Sequence, residues 1–143
     1  MEQGRVAACH ALNIPFKDTV DALPPFGVYS IPEVAMVGMS EEGAAAAGEE
    51  YEVGRSWFRT NTRSTICGDT DGLLKLVFRR ADRTLLGVHL LGTDAGDLVH
   101  QGQAVLHFKG TIDYFIHTTY NVPTRSEAYK YAAYSGLRNI RGR

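Results

Sequence analysis

The 143-residue chain has only two cysteines, Cys9 and Cys67, and neither belongs to a C-x-x-C or other short-spaced pair. A sequence-local redox disulfide or zinc knuckle is thereby excluded, and both side chains are expected as reduced, partly buried thiols that behave as small hydrophobes. No apolar run approaches the ~20 residues that cross a bilayer. The opening residues lack the basic, apolar and cleavage-site order of a secretory leader, so a cytoplasmic chain with no membrane partner is expected. A net charge of -1 and a pI near 6.5 leave no excess of either sign. The electrostatic footprint of a nucleic-acid binder is therefore missing. Absent too are the G-x-G-x-x-G turn and the P-loop, which bring backbone N–H groups against phosphates. His100 and His107 stand too far apart along a helix to share one metal ion without further ligands, so no metal site is expected.

What is present suffices for one globular core: 44% of residues are hydrophobic and 22% charged. Residues up to about Leu12 have helical composition, and 13–25 read as a linker broken by Pro15, Pro24 and Pro25. Short strands are predicted over 27–31 and 34–38. Ser40 is placed to cap a short alanine-rich helix that begins with Glu41 and Glu42 and ends at Gly48. Residues 51–60 read as a strand with Val53, Arg55, Trp57 and Arg59 on one side and Gly54, Ser56, Phe58 and Thr60 on the other. Two arginines around a tryptophan could stack on single-stranded nucleic acid, but without supporting charge they read as a solvated sheet face. A hairpin follows, with Leu74, Leu76 and Phe78 facing a stripe of Leu86, Val88 and Leu90. Asp94 is the expected cap of a helix whose apolar face is Ala95, Leu98, Val99, Gly102, Val105 and Leu106. Further helices are predicted over 112–117 and from Thr124 to about Leu137, before a basic tail at 141–143 that reads as solvated or disordered. Strands followed by clustered helices indicate an α+β class, with helices covering one face of an antiparallel sheet.

Thr124-Arg125-Ser126-Glu127 reads as a capping box, the threonine hydroxyl accepting from the Glu127 N–H and the carboxylate reaching back to the Thr124 N–H. The longer phrase around it, Thr118-Thr119-Tyr120-Asn121-Val122-Pro123-Thr124-Arg125-Ser126-Glu127-Ala128-Tyr129, resembles the C-terminal dimerisation domain of the pyridine nucleotide-disulfide oxidoreductases. The phrases Pro32-Glu33-Val34-Ala35-Met36-Val37-Gly38 and Phe58-x-x-Asn61-x-Arg63 carry the same resemblance, which covers nearly all of the chain.

Several expectations follow from that resemblance. Disulfide-reducing members carry His-Pro-Thr-x-x-Glu, the histidine acting as acid and base and the glutamate orienting it. Here Val122 occupies the histidine position, so no catalytic residue is expected in this chain, and Glu127 is expected to keep only its role in the cap. The phrase is similar to that of the soluble transhydrogenase branch, which moves hydride between NADPH and NAD through FAD. In the family this loop reaches the partner subunit's flavin, so Val122 and Pro123 would cover the FAD of a homodimer partner. Residues 1–25 would be the end of an FAD-domain helix and its linker, and 26–143 the dimerisation domain. The chain would then be a fragment, binding no cofactor and catalysing nothing alone, with FAD and NAD domains of the same protein as partners. Small residues and tyrosines in the last helix, Ala128, Tyr131, Ala132, Tyr134 and Ser135, would suit the interface. Two alternatives stay open: a divergent disulfide or other substrate reductase, and a non-catalytic dimerisation module.

Overall fold

The computed structural model describes residues 1–142. Five strands, β1 (Phe26–Val28), β2 (Val34–Gly38), β3 (Tyr51–Trp57), β4 (Leu73–Arg79) and β5 (Leu85–Leu91), form one antiparallel sheet in the order β1-β2-β5-β4-β3. Six helices accompany it: α1 (Glu2–Ala11), α2 (Glu41–Ala46), α3 (Thr62–Cys67), α4 (Ala95–His107), α5 (Asp113–His117) and α6 (Glu127–Arg141). The expected α+β class is what is found. α4 packs on β2 and β5, and α6 on β3 and β4. Among the described residues no helix is long and apolar enough to cross a membrane.

Period-two alternation builds the core face, because successive strand side chains point to opposite sides. Leu74, Leu76 and Phe78 of β4 are fully buried under the helices, beside Val88 and Leu90 of β5 and Ala35 and Val37 of β2. Leu86 departs from the expected stripe. The register runs Val77↔Gly87 and then Phe78↔Leu85, so Leu86 is the extra residue of a bulge. A bulge turns the side chains beyond it. Leu85 therefore joins the main core, while Leu86 packs with Val77 and Ala44 of α2. α2 thus covers one end of the sheet's other face. Ser40 caps it as expected, its hydroxyl accepting from the Gly43 N–H at 3.0 Å, and Gly48 leaves it with a left-handed φ of +73°.

Other boundaries shift from the sequence reading. The first strand ends at Val28, and Tyr29 and Ile31 are exposed beside the turn at Pro32. β3 stops at Trp57 and is followed by a 3₁₀ turn, Phe58–Thr60, and then by α3, which periodicity did not reveal. α3 spans one and a half turns, too short for a hydrophobic repeat, but its end signals are local. Asn61 caps its start and Gly68 closes it with φ +74°. The Arg59 guanidinium lies 4.8 Å from the centre of the Trp57 ring, so that pair satisfies itself on the sheet surface. Cys9 is half-buried, whereas Cys67 is exposed, against expectation, because it ends the short α3. Of the tail, Arg141 is the last residue of α6 and Gly142 its cap, while Arg143 lies outside the described residues.

His89 sits between Met36 and Lys75 on the sheet face away from α4 and α6. Both ring nitrogens are buried without a hydrogen-bond partner among the described residues. Desolvation, with help from Lys75 and against the opposing pull of Glu41 and Glu42, lowers its pKa from 6.5 to about 4. The folded state thus binds this proton less readily than the unfolded chain does. Its contribution is fully present above pH 6.5 and is lost as pH falls through about 4. His89→Met should flatten the acid side of the stability curve between those limits, read from urea midpoints at stepped pH. Parallel curves for parent and variant would show that His89 titrates normally.

Candidate functional site

The segment joining α5 to α6 carries the family-like phrase. Its Val122–Pro123 peptide is cis. Val122 is 69% exposed and Pro123 is also exposed, so the loop displays apolar atoms and backbone outward. Behind them the chain is tied down. The Thr124 N–H donates to Glu127 Oε2 at 3.1 Å, which is one half of the expected capping box. The other half does not form, because the Thr124 hydroxyl donates to the Asn121 carbonyl at 2.8 Å. α6 consequently starts at Glu127 and not at Thr124. Its first bonds are of the tighter i to i+3 kind, Ala128 N–H to Arg125 C=O and Tyr129 N–H to Ser126 C=O.

Two long-range anchors hold this loop. Asn61 Nδ2 donates to the Thr124 carbonyl at 3.0 Å. Arg125, only 9% exposed, donates from Nη2 to Asp69 at 2.7 Å and from Nη1 to Asp94 at 2.5 Å. Asp94 holds the expected N-cap position of α4, its carbonyl accepting from the Leu98 N–H at 2.9 Å, but its carboxylate makes no capping bond: the residue adopts a left-handed backbone with φ +64°, and the side chain is turned to Arg125. The start of α4 is served instead by Glu33, which accepts from the Gly96 N–H at 3.0 Å and brings negative charge to the positive helix end. Glu33 lies 63 residues away, so no local pattern could assign it. Asn61 was visible in the sequence only as part of the phrase Phe58-x-x-Asn61-x-Arg63, and neither its cap of α3 nor its hold on the loop was read from it.

Tyr120 closes the inner side, its hydroxyl accepting from Gln101 Nε2 at 2.8 Å, and burial pushes its phenol upward, so it stays neutral. An open groove of about 570 Å³ runs beside the loop between Arg63, Asp97, Gln101, Thr124 and Ser126. No acid–base group stands at position 122, and Glu127, at the start of α6, is buried and already bonded to Thr124. What the arrangement offers is a fixed apolar ridge with backbone groups. Among the described residues no three His, Cys, Asp or Glu side chains converge as metal ligands. His100 Nδ1 lies against Gln103 at 2.9 Å, and the His107 ring packs edge-on against Phe108.

The family model for the pyridine nucleotide-disulphide oxidoreductase dimerisation domain matches residues 24–133. The chain belongs to this family. Soluble pyridine nucleotide transhydrogenase of Mycobacterium bovis (strain BCG / Pasteur 1173P2) is 45% identical over 141 residues, covering 99% of this chain and 30% of the relative. The protein of that name from Hahella chejuensis is 42% identical over 142 residues, with 97% and 30% covered. The chain therefore spans about a third of the length of these relatives. Among solved structures, the HOCl-induced flavoprotein disulfide reductase RclA from Escherichia coli superposes with a TM-score of 0.81 at 22% identity, over 91% of this chain and 30% of that one. LpdA from Mycobacterium tuberculosis does so at 0.79 and 23%, over 92% and 29%. At such identities these two likenesses concern the fold. Of the residues expected at an interface within this family's domain, Ala128 and Ala132 are buried against the chain's own sheet, because α6 docks through its small side chains. Tyr131 and Tyr134 remain about half exposed.

Proposed function

We propose that this dimerisation domain serves a homodimeric, FAD-containing transhydrogenase that moves hydride between NADPH and NAD in the cytoplasm. Residues 1–25 would belong to the preceding FAD domain and its linker, and each Val122–Pro123 ridge would lie over the flavin held by the partner subunit. The observation that carries this reading is the loop itself. It is firmly anchored and exposed, with an apolar side chain where disulfide-reducing relatives need a proton carrier. An apolar ridge with backbone groups fits the edge of a flat ring and asks for no charge. FAD, when bound, supplies the electron-carrying chemistry. The chain's own residues then have to hold the ridge, exclude water from it and join the two subunits. The 39–45% identity to proteins named soluble transhydrogenase supports the same reading.

The test uses the full-length flavoprotein, with NADPH as donor and either an NAD analogue or a panel of disulfides as acceptor. A positioned acid–base group contributes about 100- to 10,000-fold. Transfer to the NAD analogue should therefore exceed any disulfide reduction by at least ~100-fold. Disulfide turnover without nucleotide exchange would overturn the assignment.

A further inference from the structure

We propose that Asn61 is a positioning residue that sets the Val122–Thr124 loop against the partner's flavin. The inference rests on the reading of that loop given above. Asn61 is 2% exposed, and its amide is used at both ends. Oδ1 accepts from the Ser64 N–H at 3.0 Å, capping α3, while Nδ2 donates to the Thr124 carbonyl, 63 residues away, at 3.0 Å. Turning the amide over would set NH₂ against an N–H and oxygen against a carbonyl, so the orientation is dictated by its neighbours. The backbone of Asn61 is equally fixed. Its N–H donates to the Phe58 carbonyl at 2.9 Å, and its own carbonyl accepts from the Thr65 hydroxyl at 3.1 Å. Phe58 is fully buried in the main core.

The loop is thus hung from the core one residue beyond Pro123. Glu127 holds the other side of Thr124, but it belongs to the helix that the loop leads into. Arg125 also reaches across, through charged bonds to Asp69 and Asp94, whose carboxylates are about half exposed, so water and salt reach that end of each pair. Of these three contacts only the Asn61 bond is neutral and made by a nearly fully buried side chain reaching from another part of the fold. Such a bond resists salt and water, and its loss leaves a carbonyl poorly paired.

Asn61→Asp separates this role from the cap. Aspartate caps a helix as well as asparagine does, but its ionised carboxylate faces the Thr124 carbonyl with no proton to give. The protonated acid can donate again. In the flavin-loaded full-length protein at pH 8, hydrogen exchange of the loop amides, corrected for intrinsic rate, should rise about tenfold while the Ser64 amide stays protected. Flavin emission should change in the same direction as it does in Val122→Gly. Both effects should recede as pH falls and the new acid takes up its proton. Asn61→Ser, which keeps a capping oxygen but is too short to reach Thr124, should show both effects without the pH dependence, and it serves if the aspartate variant does not fold. Loop exchange within about twofold of the parent in these variants would overturn the proposal. So would faster exchange with unchanged flavin emission. If Val122→Gly alters emission and the Asn61 variants do not, the positioning role fails and the loop reading stands. If Val122→Gly is silent as well, the loop reading itself has failed.

Discussion

Gly54→Ala is expected to push α6 off the sheet and lower the thermal midpoint by roughly 10 °C. A β-carbon at this position would stand 2.0 Å from the Ala132 carbonyl oxygen and 2.9 Å from the Gly136 nitrogen. These are backbone atoms of α6, and no rotamer change can move them away. Gly136 in turn fits over Phe78 and lies near the Gly54 backbone, so strand and helix meet with no side chain between them. Relief requires translating the whole helix, and that separates Tyr129, Ala132 and Ala133 from the core they fill. Overpacking usually costs about 1–3 kcal/mol and more where the neighbour is rigid; about 3 kcal/mol is the floor expected here. For a chain of this size each kcal/mol corresponds to roughly 2–4 °C or somewhat more. Thermal unfolding followed by circular dichroism reads the shift directly. A drop below about 3 °C would mean that α6 can dock at another height.

The second large effect is expected at Tyr129. Its ring is fully buried and stacks on Phe115 with centroids 4.7 Å apart. Its hydroxyl accepts from the Gly102 N–H at 3.1 Å and donates to the Leu98 carbonyl at 2.8 Å. Those two groups are the pair that an α-helix joins to each other, four residues apart. The hydroxyl therefore sits at a rung of α4, and Gly102 leaves room for it: a β-carbon there would stand 2.9 Å from the Tyr129 oxygen. Burial pushes the phenol's pKa up, so it remains a neutral donor and acceptor. Tyr129→Ala should cost about 4 kcal/mol, the usual penalty for emptying an aromatic site. Tyr129→Phe should cost only about 1 kcal/mol, since Gly102 and Leu98 can close their own rung. Urea unfolding midpoints of the two variants give the ratio. Equal losses would show that the hydroxyl, and not the ring, is the main stabilising contact between α4 and α6.

These two sites explain why part of the fold could be read in advance. The alternation at Leu74, Leu76 and Phe78 and the helical stripe of Val99, Gly102, Val105 and Leu106 are local patterns, and each marks the buried face of its own element. Ser40 could be assigned as a cap because its partner, Gly43, is three residues away. The α+β class follows from such elements in order. Gly54 and Gly136, however, look like isolated weak points in a strand and a helix until the two are laid together.

The candidate site divides in the same way. The apolar side chain of Val122 and the phrase around it were legible along the chain, and the phrase pointed to the family. How the loop is held was not, since Asn61, Asp69 and Asp94 reach it from 63, 56 and 31 residues away, and the Asp94 carboxylate bonds to Arg125 instead of capping α4. A side chain that can bond either locally or at a distance takes whichever partner the packed core presents, and burial makes an unpaired group costly.

Alternation, turns and caps could be read along the chain because they depend on neighbours within about one helical turn, and the family could be read because its phrases are contiguous. Packing of distant elements set the rest: Glu33 serves the start of α4, Asn61 holds Thr124, Leu86 leaves the main core, and a tyrosine occupies a rung of another helix. Each of these joins groups far apart in the chain, and their pairing is set by the closeness that sheet formation and helix docking impose.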